Sequence, residues 1–509
     1  MKKTSKLTAV LLSLVLVVFL PLAGNAAGTT YTLTLNNPGE TTHQFQVYQI
    51  FIGDLYVNGS GERVLSNIEW GNGVTAGGKV FFGNAVEKAE TLKTEADGKA
   101  FADQLVSVGY LTNPVQKTVA ANSTETIANL EPGYYLIKDA GNSQNMENGV
   151  YTAYILEVVG DITASAKIDV PTVEKKAKDI NDTLDDDISD NPWQDSVDYD
   201  IGDTIPYQIV GTLPTNYAEY DQYYYKFTDN MCAGLTYQDD AKVYIDNAGV
   251  ETEITSQVSI NSSVSNSDTT LEITISNLDN ITGVSINKDS KIVVRYTAVL
   301  NQNAVSGSAG NENTVFLTYS NNPNAGGVET ANTPVNKTVV FTYKLQINKV
   351  DENNSPLQNA GFTLYKKDSS GAWQTVKTIV AGSETQFTFA GLDDGDYKLV
   401  ESEVPQGYNK FEDLEFNISA EHTSDSQTPT LVSINNATTE GETITLQGSK
   451  LATVSLASGT ISTTIMNKSG SLLPSTGGIG TTIFYIVGAV LVICGIIFLI
   501  AKKSMKYEE

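Results

Sequence analysis

Histidine and cysteine, two residue types that are common in catalytic and zinc sites, are scarce in this chain of 509 residues. Its two histidines, His43 and His422, lie far apart in the sequence, and its two cysteines are Cys232 and Cys494. A catalytic nucleophile needs a neighbouring base, and a zinc site needs clustered ligands. We therefore predict that the protein is not an enzyme and holds no metal or other cofactor, and that both histidines lie at the surface.

The charge balance narrows the possible partners. The formal net charge is −27, and the two ends of the chain are its more basic parts, so the body is strongly acidic. Such a surface repels nucleic acid, which we exclude as a partner. The acidic run at 179–190 lacks the glycine and final glutamate of an EF-hand loop at the required spacing, and we predict a solvated loop there.

The body of the chain has the pattern of β-structure. Runs at 31–35, 271–275, 291–296 and 314–319 alternate polar and apolar residues and are separated by Asn, Asp, Gly and Ser clusters. Short strands with this punctuation favour β-sandwiches over βαβ units. One helix is predicted, from Ala85 to about Val108, where apolar residues recur at helical spacing.

Length and composition suggest three domains. The breaks fall near Pro171 and at Lys337 to Phe341, after a stretch rich in Asn, Gly and Pro. The predicted domains are residues 28–170, 171–340 and 341–470.

The N-terminus has the layout of a secretory signal peptide. Three lysines precede an apolar run at 7–22, and small residues follow it. The run is short for a membrane span, which needs roughly 20 residues. We predict that residues 1–27 are a signal peptide, cleaved after Ala26 or Ala27, and that the mature protein is secreted.

The pentapeptide at 473–477, with the sequence Leu-Pro-Ser-Thr-Gly, precedes an apolar stretch at 482–501 and a lysine-rich end. Alone, the stretch would indicate a membrane helix. With the pentapeptide, it resembles the sorting signal of sortase substrates, in which the enzyme's cysteine attacks the Thr–Gly bond and passes the threonine carbonyl to an amine. The resemblance implies a sorting signal at 473–509, with a transmembrane helix and basic tail, and anchoring to cell-wall peptidoglycan. The pentapeptide is Leu473, Pro474, Ser475, Thr476 and Gly477.

The segment 341–470 has the strongest fold signal. Its runs at 345–351, 359–365 and 389–408 precede a last strand that ends at Asn467. They resemble the CnaB-type domain of Gram-positive adhesins and pilins, a reverse-immunoglobulin-like β-sandwich. Within them, 397–408 resembles the pilin E-box.

In the CnaB family, a lysine, a glutamate and a last-strand asparagine meet in the core, and the lysine amine displaces ammonia from the asparagine to form an isopeptide bond. The matching residues are Lys349, Glu401 and Asn467. Alternation places Lys349 on the same strand face as Leu345 and Ile347. Burial lowers the pKa of a lysine and raises that of a carboxyl group, so a neutral amine can attack while protonated Glu401 polarises the amide and shuttles protons.

The runs at 173–177, 225–229 and 310–321 resemble the CnaA-type middle domain of backbone pilins, where an aspartate replaces the glutamate. That resemblance implies a second isopeptide bond.

In this second set, Lys175 would join Asn313, with Asp229 as the proton shuttle. Alternation favours Lys175 over Lys176. Asn311 lies on the same face as Asn313 and remains an alternative. The first predicted domain, residues 28–170, resembles the N-terminal domain of the same pilins, and we predict no isopeptide bond in it.

Polymerisation in this family needs an exposed lysine that attacks the acyl-enzyme formed at Thr476 of a neighbouring subunit. The Tyr-Pro-Lys motif that holds this lysine in many backbone pilins is absent here. Lys167 occupies the comparable place, shortly before the middle domain, and Lys176 and Lys178 are alternatives.

The chain is thus interpreted as mainly β, with tandem immunoglobulin-like CnaA/CnaB-type sandwiches between a cleaved signal peptide and a C-terminal sorting helix. The expected function is that of a pilus shaft subunit at the cell surface. Its expected partners are sortase, identical subunits in a covalent homopolymer, minor pilins, peptidoglycan and host surface ligands. The alternative is a wall-anchored adhesin or minor pilin that binds a host or partner ligand. A surface hydrolase has little support, since no nucleophile–base pair stands out.

Overall fold

The structure, a computed structural model, describes residues 29–57, 63–167, 169–181, 191–323, 327–470 and 479–504. The predicted signal peptide, the sorting pentapeptide and most of the acidic run at 179–190 lie outside the described residues. Strands make up 49% of the chain and helices 13%, which confirms the mainly β fold class.

The N-terminal region contains two small β-sheets. Its strands are β1 (Tyr31–Asn37), β2 (His43–Val57), β3 (Arg63–Trp70), β4 (Val115–Val119), β5 (Ser123–Leu130), β6 (Gly133–Asp139), β7 (Ala153–Val158) and β8 (Ile162–Ser165). One sheet has the order β5-β1-β8, and the other has the order β3-β2-β6-β7 with β4 paired to β2. One apolar cluster contains residues of both sheets, and a second contains residues of the larger sheet and of the segment between β3 and β4, so this region has two small cores.

Helices α1 (Ala76–Phe82), α2 (Ala85–Glu90) and α3 (Glu95–Ser107) lie between β3 and β4. The prediction of one continuous helix from Ala85 to Val108 was therefore wrong, because two helices, α2 and α3, occupy this segment. The Thr94 side chain accepts a hydrogen bond from the Asp97 backbone, and the Asp97 carboxylate accepts one from the Thr94 N–H. This capping box starts a new helix at a point where apolar spacing alone suggested continuation.

The middle region is a sandwich of two larger sheets. One has the order β10-β9-β12-β19-β15-β16 with β14 on β19, and the other has β11-β22-β20-β13-β18-β17 with β21 on β20. The strands are β9 (Val173–Lys178), β10 (Trp193–Gln194), β11 (Ser196–Asp198), β12 (Thr204–Gly211), β13 (Tyr225–Met231), β14 (Leu235–Tyr237), β15 (Lys242–Asn247), β16 (Val250–Glu253), β17 (Ser259–Ser265), β18 (Asp268–Ile275), β19 (Lys291–Leu300), β20 (Asn311–Ser320), β21 (Thr330–Asn332) and β22 (Asn336–Phe341).

Period-two alternation builds the core of this sandwich. On β12, Ile205, Tyr207 and Ile209 are completely buried, whereas the residues between them are partly exposed. β13 and β20 of the opposite sheet show the same alternation, so both inner faces contribute to one apolar cluster. A polar side chain that falls on an inward position is consequently forced into the core.

The C-terminal region is a second sandwich. Its sheets have the orders β26-β23-β33-β32-β31 and β25-β24-β27-β28, with β29 and β30 as a separate hairpin. The strands are β23 (Tyr343–Val350), β24 (Gly361–Lys367), β25 (Trp373–Ile379), β26 (Gln386–Leu392), β27 (Gly395–Glu403), β28 (Leu414–Ile418), β29 (Ala420–His422), β30 (Leu431–Ile434), β31 (Glu442–Leu446), β32 (Lys450–Ser455) and β33 (Thr460–Met466). The first strand, β23, and the last, β33, lie side by side and run parallel.

The middle and C-terminal regions share strand β22. It pairs with β20 of the middle sandwich, yet Val339 and Phe341 pack in the apolar cluster of the C-terminal sandwich. The domain boundary predicted between residues 340 and 341 falls inside this strand.

After residue 470 the next described element is helix α4 (Ile479–Ser504). Its segment Ile483–Lys502 is long and apolar enough to cross a membrane, and it is the one such helix among the described residues. It fits the predicted sorting helix in position and composition. Single 3-10 turns occur at Tyr217–Glu219, Thr255–Gln257, Leu278–Asn280 and Gln447–Ser449.

Candidate functional site

The first candidate site lies between the two sheets of the middle sandwich. Lys175 is on β9 of one sheet, and Asp229 and Asn313 are on the adjacent strands β13 and β20 of the other. The three side chains are completely buried. The structure thus brings together the three residues that the sequence analysis grouped.

A tyrosine that the sequence analysis missed joins these side chains. Lys175 Nζ contacts Asp229 Oδ2 and donates a hydrogen bond of 2.5 Å to the Tyr296 hydroxyl. That hydroxyl donates to Asp229 Oδ2 at 3.0 Å and accepts from Asn313 Nδ2 at 2.8 Å. Tyr296 lies on β19 and stacks on Tyr207 with 5.3 Å between ring centroids. Alternation along β19 indicates that Tyr296 points inward, but no sequence motif indicates that it contacts the lysine, the aspartate and the asparagine.

Burial governs the protonation of this group. It lowers the pKa of Lys175, against the opposing effect of the Asp229 charge. It also raises the pKa of Asp229, although Lys175 and Tyr296 act in the other direction. Asp229 Oδ1 and Asn313 Oδ1 have no hydrogen-bond partner among the described residues. Buried polar atoms without partners are costly, so this group is a poor structural element unless it reacts.

Asn311 is occupied elsewhere. Its side chain accepts from the Val305 N–H at 2.8 Å and donates to the Val305 and Val340 carbonyls at 3.0 Å. These bonds attach a loop to the end of the sandwich and do not involve Lys175.

The second candidate site lies in the C-terminal sandwich. Lys349 is near the end of β23, Glu401 is on β27, and Asn467 follows β33 directly. The parallel register pairs Lys349 with Ile465, and the Asn467 N–H donates to the Val350 carbonyl at 3.0 Å. The first and last strands therefore deliver the lysine and the asparagine to the same place.

The polar contacts here centre on the glutamate. Asn467 Nδ2 donates to Glu401 Oε1 at 2.7 Å, and the backbone N–H of Phe411 donates to Oε2 at 2.8 Å. Lys349 Nζ lies 3.6 Å from Glu401 Oε1. Each member of the triad is only 1% exposed.

The Lys349 amine is poorly compensated. Lys349 Nζ and Asn467 Oδ1 have no hydrogen-bond partner among the described residues. Burial lowers the pKa of Lys349 more strongly than the nearby Glu401 charge raises it. A buried amine in this setting favours its neutral, nucleophilic form.

The three candidate linking lysines are all engaged. Lys167 pairs with Glu219 and is 26% exposed at its side chain. Lys176 lies 2.8 Å from Asp195 and is 15% exposed, and the Lys178 amine lies 5.4 Å from the Trp193 ring centroid. Of the two ion-paired lysines, Lys167 has the more exposed side chain.

The prediction that both histidines lie at the surface was wrong. His43 is completely buried, and its Nδ1 lies 3.0 Å from both carboxylate oxygens of Asp139. Asp139 also accepts the Thr152 N–H at 2.8 Å. The side chain of His422 is 9% exposed and lies between the middle and C-terminal regions. Both histidines come into contact with acidic residues that are distant in the sequence.

Two family models match the sandwiches. Residues 201–323 match the Gram-positive pilin backbone subunit 2, Cna-B-like domain, and residues 343–436 match the SpaA prealbumin-like fold domain. The middle sandwich therefore contains a match to a Gram-positive pilin backbone domain, and the C-terminal sandwich contains a match to a domain of prealbumin-like fold.

The trypsin-resistant surface T6 protein of Streptococcus pyogenes serotype M6 is a relative, 25% identical over 328 residues. The alignment covers 54% of this chain and 60% of the T6 protein, so the match spans less than two thirds of that relative. The solved structure of the T6 backbone pilin of the same serotype superposes with a TM-score of 0.56 at 20% identity, over 88% of this chain and 100% of that one. This second similarity establishes the common fold.

Proposed function

We propose that this protein is the shaft subunit of a covalently assembled surface pilus of a Gram-positive bacterium. The observation that carries the proposal is that two pilin-type sandwiches each bury a lysine, an acid and an asparagine together. A buried lysine and carboxyl group cost stability that a purely structural core has no reason to lose. A reaction between them removes the cost.

In the C-terminal sandwich, the neutral amine of Lys349 attacks Cγ of Asn467. Glu401 takes a proton from the attacking nitrogen and passes one to the departing amide nitrogen. The Nζ–Cγ bond forms, the Cγ–Nδ2 bond breaks, and one ammonia molecule leaves without any change in oxidation state. The hydrogen bond between Asn467 Nδ2 and Glu401 Oε1 supports this role, because it joins the leaving nitrogen to the carboxyl group.

In the middle sandwich, Lys175 attacks Asn313 in the same way, with Asp229 as the proton carrier. Tyr296 positions the group because its hydroxyl contacts the amine, the acid and the amide. Asn313 is the proposed partner in preference to Asn311, whose amide is bonded to Val305 and Val340.

Assembly follows from the sorting signal. Sortase cleaves between Thr476 and Gly477, and the resulting acyl-enzyme is attacked by Lys167 of the next subunit. The assembly partners are therefore sortase, identical subunits, minor pilins and, at the base of the pilus, cell-wall peptidoglycan. The exposed surface of the pilus would also bind host ligands.

The internal bonds are tested by the intact mass of the full chain, purified in detergent and denatured, with its N-terminus defined by peptide mapping. We expect a deficit of two ammonia molecules and two cross-linked peptides, one joining Lys175 to Asn313 and one joining Lys349 to Asn467. Lys175→Arg and Lys349→Arg should each restore one ammonia. An unaltered mass in the parent chain would contradict the internally bonded pilin.

The intersubunit bond is tested by co-expression with a pilus sortase and denaturing gels. Lys167→Ala should abolish the covalent ladder, whereas Lys176→Ala and Lys178→Ala should leave it intact. Loss of the ladder in one of the latter variants would move the linkage to that lysine. A chain that is anchored yet never forms a ladder would favour the adhesin.

A further inference from the structure

His422 lies at the junction of the two sandwiches, next to two aspartates. Asp179 follows β9 and Asp198 ends β11 in the middle region, whereas His422 ends β29 in the C-terminal region. His422 Nε2 lies 3.7 Å from Asp179 Oδ2 and 3.9 Å from Asp198 Oδ1. The group is largely enclosed, with side-chain exposures of 26% for Asp179, 7% for Asp198 and 9% for His422.

The orientation of the imidazole is fixed from its other side. The Ser196 hydroxyl donates to the Thr423 carbonyl at 2.8 Å and lies 2.8 Å from His422 Nδ1. Since the hydroxyl hydrogen is used on the carbonyl, Nδ1 carries the hydrogen and donates to Ser196. In the neutral ring, the lone pair is then on Nε2 and points towards the two carboxylates. Outer contacts of this kind orient the histidine ligands of metal ions.

The surroundings leave acceptors unused. Asp198 Oδ2 and the completely buried Tyr343 hydroxyl have no hydrogen-bond partner among the described residues. One ligand atom each of Asp179, Asp198 and His422 lies within 4.8 Å of the other two. Two enclosed carboxylates that face one another need a cation between them, and a metal ion can take the place of the proton that the imidazole nitrogen would otherwise bind.

We propose that Asp179, Asp198 and His422 bind one divalent transition-metal ion of the Zn²⁺ class. In a tetrahedral site with bonds of about 2.1 Å, ligand atoms lie about 3.4 Å apart, so the observed separations need only a small closure. Two carboxylates balance the double charge. The imidazole nitrogen favours zinc over calcium or magnesium, which take oxygen ligands.

The neighbouring acidic group shows what a compensated cluster looks like. Asp200 and Asp393 both contact Lys366 Nζ, so their charge is balanced by an amine. The ion proposed beside His422 would do the same for Asp179 and Asp198. It would also link β9 and β11 to β29, and therefore one sandwich to the other. This inference does not depend on the isopeptide bonds.

The test is a titration of the full chain in detergent, stripped with EDTA, with Zn²⁺ alone, followed by calorimetry and by metal analysis. We expect one saturable equivalent in the parent chain. His422→Ala should remove it, Asp179→Asn should weaken it at least tenfold, and Asp425→Asn should leave it unchanged. Asp425 is the matched control because it is an acid near the same junction whose side chain is 98% exposed. Bound Zn²⁺ should raise the melting temperature of the parent chain and of the control.

Absence of saturable binding in the parent chain would overturn the site, as would parent-like affinity in Asp179→Asn. If His422→Ala fails to fold by circular dichroism, Asp179→Asn decides the question, because that side chain is more exposed and its replacement keeps the shape. An equal loss of Zn²⁺ affinity in Asp179→Asn and Asp425→Asn would also overturn the proposed site, since that result would indicate a general charge effect.

Discussion

The two buried triads differ in what holds the lysine. In the middle sandwich, the Lys175 amine contacts Asp229 and donates to the Tyr296 hydroxyl at 2.5 Å. In the C-terminal sandwich, the Lys349 amine lies 3.6 Å from Glu401 and has no hydrogen-bond partner among the described residues. The second acid is instead held by the Phe411 backbone. The same three residue types are thus organised by a side chain in one core and by the backbone in the other.

The two sites also differ in which groups can hold the proton of the lysine amine. Lys175 and Asp229 are in contact, so one proton can move between them without leaving the pair. Lys349 has no such partner at hydrogen-bonding distance, and burial makes its neutral form the cheaper one. In the proposed reaction, the C-terminal amine would attack directly, whereas the middle amine would first share its proton with Asp229.

Removal of the acid should have the largest effect. Asp229→Ala and Glu401→Ala should each abolish the amide of their own sandwich and leave a buried lysine without its acid. The cost should be about 3–5 kcal/mol in the free energy of unfolding of that sandwich. Intact mass and urea unfolding measure both effects. Each variant is the control for the other, and a variant that still loses both ammonia molecules would refute the shuttle role of its acid.

Removal of the Tyr296 hydroxyl should slow the middle reaction alone. Tyr296→Phe keeps the stacked ring and loses the contacts to Lys175, Asp229 and Asn313, so amide formation should slow about 100-fold. A time course of intact mass after a short expression pulse measures the rate. Tyr225→Phe is the matched control, because Tyr225 is a buried tyrosine of the same sandwich whose hydroxyl donates to the Thr212 carbonyl. Equal slowing in both variants would remove the special role of Tyr296.

The pH dependence of stability should separate the two sites when the amides are blocked. In Asn467→Ala, Lys349 stays free, and burial holds its pKa below the usual 10.5. Between these two pKa values the unfolded chain binds a proton that the folded chain lacks, so stability should rise with pH by up to about 1.4 kcal/mol per pH unit. Below the folded-state pKa of Lys349, the folded chain carries the full cost of a buried, protonated amine.

The corresponding middle variant, Asn313→Ala, should behave differently. The pair of Lys175 and Asp229 holds one proton in the folded chain, whichever atom carries it. The unfolded residues also hold one proton between their usual pKa values of 3.8 and 10.5. Stability should therefore be flat over this range. Urea unfolding from about pH 6 to about pH 10 compares the variants, and parallel curves would show that the two lysines have the same environment.

The smallest effect should come from the backbone bond in the C-terminal site. Phe411→Pro removes the N–H that holds Glu401 Oε2, and Phe411→Ala removes the ring but keeps the N–H. The proline variant should form its amide about tenfold more slowly than the alanine variant, in line with the loss of one hydrogen bond to a charged group. Equal rates would mean that the Glu401 position does not depend on this bond.

Much of the fold and of both triads could be predicted because they depend on alternation along single strands. Lys175 and Lys349 fall on inward positions of β9 and β23, and their burial follows from that periodicity. The break between α2 and α3 was missed because it depends on one capping box, which overrides apolar spacing.

Contacts between distant segments could not be predicted in this way. Tyr296 matters because β19 places it opposite residues of three other strands, and periodicity shows only that it points inward. His422 is enclosed because the hairpin of β29 and β30 packs against β11, so its burial depends on how two sandwiches meet. A single sequence contains no local pattern for either.

The parallel arrangement of β23 and β33 has a mechanical consequence. The chain enters the C-terminal sandwich at Tyr343 and leaves it after Asn467, at the opposite end of the paired strands. Once the proposed amide joins Lys349 to Asn467, a stretching force applied at both ends travels along β23 for about 20 Å and then crosses directly to the exit. Residues 350–466 lie outside that load path. Their loops can change in length or sequence without weakening the covalent thread of the filament.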